Sequence, residues 1–497
     1  MHTGIAVIFP QSHPGIRSGR IETVSVPLCV DLDGTLIDSD LLWECILQLL
    51  KKNPLCLFLI PFWLMKGGRP YLKRQLAQRT SLQPENIPYN QELLDFLLAE
   101  RDHGRQLILV TATDQQLAEK IAAHTPIFDH VYGTRAGQNL RGQTKAEFLQ
   151  TLFGERAFDY AGDSSSDMHV WRVSRGAYVV GSETTASRVA SVTEVHRCFA
   201  RKGGDLGCWA RAIRVHHWSK NLLMLAALLL AHRLSWHPLV MTLLGMVFFG
   251  LCSSGVYIVN DLLDLHSDRE HPWKKERPFA SGRLSIAAGA GASVILFGAA
   301  FALGAAVLNW RFVGVMALYA VAAIWYSLQL KRIAVLDVFV LSSFYSIRIW
   351  AGALITQTPL SQWLLGFSLF FFLSLAMAKR YSELMHAADL ADSGNSGRNY
   401  RVADRELLLS IGIASCFSAI VILSLYVHSN EVVVLYRRPE ILLLLCPLIL
   451  YWTSYIWLKA HRGELNEDPV TLAMRDSVSY GVAAAGLAIM MLSSLNF

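Results

Sequence analysis

The hydrophobic positions of the chain change character near residue 210. Upstream they come in short runs. Val24–Val30 is apolar, rich in valine, and stops abruptly at Asp31, which suits a buried parallel strand. Similar runs at Gln106–Val110, Phe158–Ala161 and Ala177–Val180 are separated by helical patterns around Gln115–Ala123, Thr144–Leu152 and Asp167–Val173. Strands alternating with helices predict an α/β domain with a parallel sheet, over residues 22–205. Between its first two strands lies an insertion, about 39–102, expected as a helical cap. Its stretch Leu41–Met65 is very apolar but broken by Lys51, Lys52, Asn53 and Pro54. The pattern leaves two readings open, a cap packed on an active site and a cap that touches a membrane.

Downstream the apolar runs lengthen to near the ~20 residues that a helix needs to cross ~30 Å of hydrocarbon. They fall at 219–235, 238–260, 285–308, 311–329, 334–355, 361–382, 406–427, 438–459 and 476–496. The expectation for 211–497 is therefore an all-α polytopic domain of nine transmembrane helices. Its loops alternate in charge. Those after the even-numbered helices carry Arg269, Lys274, Lys275, Arg277, Arg283, Lys331, Lys379, Arg380, Arg398, Arg401, Arg405, Arg462 and Arg475, among others. The opposite side carries little beyond Arg233, Arg311, Arg437 and Arg438. The excess of lysine and arginine puts the even loops and the N-terminal domain in the cytoplasm.

Composition agrees with this division. Apolar residues make up 53% of the 497 and charged residues 17%, against about 25% charged in an ordinary soluble domain. Disorder, a nucleic-acid partner and a purely soluble enzyme are thereby disfavoured. The net charge of +6 is modest. The eight cysteines form no C-x-x-C pair and lie mostly in apolar runs, so they read as small buried hydrophobes. The first twenty residues carry Pro, Gly and charge where a secretory signal needs an unbroken apolar core. No cleaved signal is expected.

The chemistry of the first half begins at Asp31-Leu32-Asp33-Gly34-Thr35. At the C-terminal end of a parallel strand, carboxylates two residues apart can both face the crevice where ligands bind. One can attack phosphorus while the other protonates the leaving oxygen and later activates water. Thr111 ends the second strand, Lys145 opens a helix, and Gly162-Asp163-Ser164-Ser165-Ser166-Asp167 follows another strand. They add a hydroxyl for phosphate, a neutralising cation and two carboxylates for Mg2+. These four elements, in this order, resemble the haloacid dehalogenase (HAD) superfamily. The resemblance implies a Rossmann-like fold with a helical cap, Asp31 as nucleophile and metal ligand, and Asp33 as acid and base. It further implies Thr111 and Lys145 on the phosphoryl group and Asp163 and Asp167 on Mg2+. Aspartate at 33 matches the phosphatase and mutase branches; the alternative is a domain that keeps the fold without the activity.

In the second half, Asn260-Asp261-Leu262-Leu263-Asp264-Leu265-His266-Ser267-Asp268 closes a helix. Spacings of three and four set Asp261, Asp264 and Asp268 on one face, where they repel unless a cation lies among them. Arg269, Lys274, Lys275 and Arg277 crowd the same loop. Acid for Mg2+ beside base for phosphate is the composition of a diphosphate site. Tyr326, Lys331 and Asp337 flank a later loop, and Lys379-Arg380 close another. Arg348, inside an apolar helix, is expected to face an anion or a water-filled cavity. Lys379 and Arg380 read equally as snorkelling anchors.

The N-D-x-x-D-x-x-x-D motif and nine helices resemble the UbiA superfamily of intramembrane prenyltransferases over 211–497. Within it, Arg214, Trp218-Ser219-Lys220-Asn221, Arg277-Pro278, Tyr345 and Asp468-Pro469 carry a likeness to the decaprenyl-phosphate phosphoribosyltransferase branch. Relatives that prenylate aromatic rings usually bear a second D-x-x-x-D on the fifth helix; here Asp337 is followed by Leu341. The resemblance implies transfer of 5-phosphoribose from phosphoribosyl diphosphate (PRPP) to a polyprenyl phosphate. Asn260, Asp261 and Asp264 would be catalytic, with Asp261, Asp264 and Asp268 on Mg2+. The donor and lipid phosphates would be bound by Lys220, Lys274, Lys275, Arg277, Tyr326, Lys331, Arg348, Lys379 and Arg380. The HAD domain would then remove the 5-phosphate of the product. A UbiA-type aromatic prenyltransferase using a polyprenyl diphosphate is the alternative enzyme, and a lipid carrier with a regulatory HAD module the alternative without catalysis. The expected setting is the bacterial cytoplasmic membrane.

Overall fold

The structure, a computed structural model, describes residues 26–135, 138–201, 203–230, 235–359, 361–389, 399–465 and 468–494. The expected features at the N-terminus, and the loop charges Arg233 and Arg398, lie outside the described residues. By its contacts the chain forms two units, residues up to 36 with 91–200, and 37–90 with 201–497.

The first unit is built on six parallel strands. They are β1 (Leu28–Val30), β2 (Leu107–Asp114), β3 (His130–Thr134), β4 (Asp159–Gly162), β5 (Gly176–Gly181) and β6 (Glu194–Ala200), in the order β3-β2-β1-β4-β5-β6. The three residues of β1 and the first five of β2 are buried, as apolar runs covered on both faces must be. Cys29, Ile108, Phe158, Tyr160, Trp171 and Val179 share one core. Strands β3 and β6 were not legible as apolar runs because both are edge strands with several residues facing solvent. The order reverses at β1, which places a ligand crevice beyond the C-terminal ends of β1 and β4.

The second unit holds the membrane segments. Among the described residues, eight helices are long and apolar enough to cross a bilayer, at Trp236–Leu263, Ile286–Val307, Trp310–Leu328, Leu336–Thr356, Gln362–His386, Val402–Val427, Pro439–His461 and Ser477–Ser494. The ninth expected span, 219–235, is a 3-10 turn over Val215–Leu223 followed by a helix at Met224–Leu230, with 231–234 outside the described residues. Val294, Ile295, Val321 and Met491 are apolar side chains left exposed on these helices. Aliphatic groups facing outward along 20-residue helices belong in lipid. The chain is a polytopic membrane protein.

The insertion contains α1 (Leu41–Lys52) and α2 (Leu59–Arg79), with α3 (Gln91–Asp102) beyond it. Asp40 caps α1 by accepting from the Leu42 backbone N–H at 2.9 Å. α2 breaks at Gly67-Gly68. The segment expected as one cap over 39–102 divides: residues 37–90 group with the membrane unit and α3 with the sheet. The reason is in α1. Its Trp43 and Leu47 pack against Leu262, Leu265 and Phe279 of the membrane unit. Leu55, Phe58, Phe62 and Met65 remain exposed. The cysteines are all free; six are buried, Cys446 is half-buried and Cys198 is exposed.

Candidate active sites

In the sheet unit, the end of β1 delivers Asp31 into the crevice. Its backbone N–H donates to the Ala161 carbonyl at 2.9 Å, so the chain continues beside β4 just past the strand. Asp31, Asp163 and Asp167 each bring a carboxylate oxygen within 4.8 Å of the others. Lys145, 2% exposed, donates to Asp31 Oδ1 at 2.9 Å and lies 3.7 Å from Asp167 Oδ1. Burial pushes the Asp31 carboxyl up to about 6 even though Lys145 pulls it down, and Asp167 and Asp33 add to the rise. Burial works against the charge of Lys145, but Asp31 and Asp167 outweigh it and hold its pKa above the usual value. A donor set made only of oxygens, strained by its own negative charge, fits a hard divalent cation.

Gly34 is required by this arrangement. Its φ is +79°, and a Cβ there would lie 2.3 Å from Asp163 Oδ2. Thr111 is fully buried and its hydroxyl accepts from the Thr113 backbone N–H at 3.0 Å. Two residues that sequence reasoning missed complete the constellation. Thr113 donates to Asp33 Oδ2 at 2.6 Å, and Tyr160 accepts from Lys145 at 2.9 Å while donating to Asp167 Oδ1 at 2.8 Å. Thr113 was within reach, being on the same face of β2 as Thr111; Tyr160 was hidden because it reads as a core aromatic.

In the membrane unit, Trp236–Leu263 ends at the acidic motif. Asp261 accepts from Arg214 and, at 3.2 Å, from Arg277 Nη1. The same Arg277 nitrogen donates to Asp268 Oδ2 at 2.6 Å. Asp264 accepts from Lys331 Nζ at 2.6 Å and lies 3.7 Å from Lys51 Nζ. Among the described residues the three do not form one cage of converging carboxylates like that of Asp31. Asp261 and Asp268 form a pair around one cationic nitrogen, and Asp264 stands apart with its own lysines. Burial raises the Asp268 carboxyl above its ordinary value, with Arg277 opposing. Asn260 is half-buried at the same helix end, Lys274 is half-buried and Lys275 exposed on the following turn. The Tyr326 ring stands edge-on to Phe344 at 6.0 Å.

A second polar centre gathers around Asp468, which had been assigned no role. Lys220 reaches it at 3.2 Å and Lys379 at 3.7 Å, and the Tyr345 hydroxyl donates to both its oxygens at 2.7 and 2.8 Å. Burial would raise its pKa, but the two lysines outweigh burial and hold it well below the carboxylate range.

Two expected phosphate ligands are differently employed. Arg348 is 3% exposed and is engaged by protein groups. It donates to Asn221 Oδ1 at 3.1 Å, the Phe344 carbonyl at 2.5 Å and the Tyr319 hydroxyl at 3.3 Å, with its guanidinium over the Tyr319 ring at 5.0 Å. A guanidinium can be solvated by carbonyl, amide and aromatic faces, which a sequence does not reveal. Arg380, 2% exposed, pairs with Asp337 at 2.8 Å and with Glu383, and Tyr400 donates to the other Asp337 oxygen at 2.5 Å. A buried guanidinium so paired is not a snorkelling anchor.

Comparison with known proteins matches a family to each half of the chain. The description "haloacid dehalogenase-like hydrolase" matches residues 28–172, and "UbiA prenyltransferase family" matches residues 221–475. The chain belongs to the UbiA prenyltransferase family and carries an N-terminal HAD hydrolase domain. It is 38% identical over 467 residues to the uncharacterized protein y4nM of Sinorhizobium fredii, covering 92% of this chain and 89% of that one. It is also 38% identical over 184 residues to the decaprenyl-phosphate phosphoribosyltransferase of Mycobacterium tuberculosis, a match over 36% of this chain and 60% of that protein. A UbiA homologue from Archaeoglobus fulgidus, solved with GPP and Mg2+, is 18% identical over 57% of this chain and 99% of its own, with a TM-score of 0.44.

Proposed function

We propose that the membrane domain transfers 5-phosphoribose from PRPP to a polyprenyl phosphate, and that the HAD domain then removes the 5-phosphate. The observation that carries the reading is the set of carboxylates and cations at the end of Trp236–Leu263, in a chain whose relatives include a decaprenyl-phosphate phosphoribosyltransferase. An acceptor that is already an anion needs no strong base, so the protein has only to orient it and stabilise the departing diphosphate. The lipid phosphate oxygen attacks C1 of the ribose, and the C1–O bond breaks with its electron pair leaving on diphosphate.

Asp261 and Asp268, which already share one cationic nitrogen, would hold Mg2+ together; Mg2+ usually takes one or two carboxylates plus substrate phosphates. When bound, the ion neutralises the leaving group. Arg214 and Arg277, which pair with these carboxylates, and Lys331, which pairs with Asp264, supply the positive charge for the remaining diphosphate oxygens. Lys274 and Lys275 extend that charge along the loop. Lys220 and Lys379 around Asp468 form a second anion site, suited to the lipid phosphate or the 5-phosphate. Asp337 is already neutralised by Arg380, which leaves no second acidic metal site on the helix Leu336–Thr356 and favours the phosphoribosyl reading over aromatic prenylation.

In the HAD domain, Asp31 would attack the 5-phosphate, with Lys145 and Thr111 holding its oxygens and Asp33 giving a proton to the ribose oxygen. Asp31, Asp163 and Asp167 would hold Mg2+, which screens the phosphoryl charge. The loop charges support a bacterial cytoplasmic membrane setting with both sites on the cytoplasmic side.

The test is incubation of membranes containing the protein with labelled PRPP and polyprenyl phosphate, with and without Mg2+. Label is expected in the lipid fraction only when Mg2+ is present. Label entering lipid only from a polyprenyl diphosphate and an aromatic acid would overturn the reading.

A further inference from the structure

The insertion that interrupts the HAD domain after β1 is tied to the acidic loop of the membrane unit at several points. Glu44 on α1 is 1% exposed and accepts from Arg269 Nη2 at 2.7 Å, next in sequence to Asp268. Ser39 also donates to Glu44, and His266 Nε2 stands 4.0 Å from its other oxygen. At the far end of the insertion, Asn86 donates to Glu270 at 2.8 Å. Gly282 has φ +74°, and a Cβ there would sit 2.8 Å from the Asp38 carbonyl oxygen, so the insertion's first residues lie directly against the loop. One helical turn beyond Leu47, Lys51 brings its ammonium to 3.7 Å from Asp264, with a quarter of its side chain still open to solvent.

We propose that α1 of the insertion is a wall of the transferase's diphosphate site, with Glu44 as a positioning residue for the acidic loop and Lys51 as a ligand for the diphosphate. This rests on the donor site read above. The physical case has two parts. A buried carboxylate locked to Arg269 fixes the residue adjoining Asp268, so the register of the loop is set from outside the membrane helices. Lys51 is different. Its neighbour Asp264 is already neutralised by Lys331, so Lys51 is surplus cation at the mouth of the site, on a flexible stem that can swing to a phosphate oxygen. Residues 37–90, although they interrupt the HAD domain in sequence, therefore contribute to transfer.

The experiment uses full-length protein in lipid nanodiscs and two readouts, binding of inorganic diphosphate with Mg2+ and steady-state transfer from PRPP. Lys51→Ala is expected to raise the KM for PRPP and weaken Mg2+–diphosphate binding about tenfold with kcat within about twofold, and Lys51→Arg to restore most of the loss. Glu44→Gln is expected to lower kcat about tenfold or more. Lys51 is partly exposed, so its variants fold even where Glu44→Gln does not. If the wild type binds Mg2+–diphosphate and Lys51→Ala binds it equally well with an unchanged KM, the inference fails while the donor site stands. If the wild type binds no Mg2+–diphosphate, the donor site fails and the inference falls with it.

Discussion

In the HAD domain three carboxylates following the ends of two strands converge beside one lysine, whereas in the membrane domain Asp261 and Asp268 share Arg277, with Arg214 also on Asp261, and Asp264 pairs with Lys331. Both began as the same kind of sequence signal, closely spaced aspartates beside basic residues. In the converging set burial raises the Asp31 carboxyl, Lys145 opposes it and the neighbouring carboxylates add to the rise; a divalent cation would relieve it. The distributed set is balanced by Arg214, Arg277 and Lys331. Its cations are thus close at hand for an anionic substrate.

The largest effects should come from removing one member of each set. Asp31→Asn is expected to lower phosphate release from the phosphoribosylated lipid by at least on the order of a thousandfold, as loss of a nucleophile does. The phosphorylated lipid then accumulates, which thin-layer separation of the labelled product would reveal. Asp261→Asn is expected to lower transfer about a hundredfold or more and to leave Arg214 and Arg277 without their shared carboxylate. Equal loss of both activities in either variant would break the division of labour between the sites.

A smaller effect tests the crowding of the converging set. Gly34→Ala must adopt φ +79° and put a Cβ against Asp163. It is expected to destabilise by about 1–3 kcal/mol and to slow phosphatase turnover without altering transfer of label from PRPP. A melting temperature and phosphatase rate equal to wild type would show that the carboxylates are held apart in solution.

The smallest effect concerns pH. The Asp31 carboxyl titrates near 6 without metal, raised above its value in an unfolded chain. Its contribution therefore favours the folded state at low pH and is lost as pH rises through about 6. Mg2+ needs the ionised form, so its binding competes with one proton and weakens by about tenfold per unit below that point. The rise in melting temperature on adding Mg2+ should be larger at pH 8 than at pH 5, and Asp31→Asn should flatten the difference. A Mg2+ effect independent of pH would mean that Asp31 does not belong to the metal set.

Much of this architecture was readable from local pattern. β1 and β2 announce themselves as apolar runs because both of their faces are covered, while β3 and β6 do not because they are edges. Asp31, Asp33 and Asp163 could be singled out because they follow the ends of β1 and β4, and Lys145 and Asp167 because they stand at or just before helix starts that follow strands. The membrane spans follow from length and hydropathy, which lipid imposes on any helix that crosses it.

What the chain order does not carry is the choice of partner for a charge. Arg348 and Arg380 read as phosphate ligands, yet one is held by Asn221, Phe344 and Tyr319 and the other by Asp337. Asp468 becomes the centre of a site only when Lys220 and Lys379 are folded around it. Glu44 and Arg269 meet across 225 positions of sequence. The sequence by itself determined the two domains, their element types and which residues have chemistry to offer. Only the tertiary structure decided which of those charges are used on each other and which remain for a substrate, and to which unit the insertion belongs. The reason is that periodicity and hydropathy are properties of neighbours along the chain, while an ion pair depends on distance in space and on the burial around it.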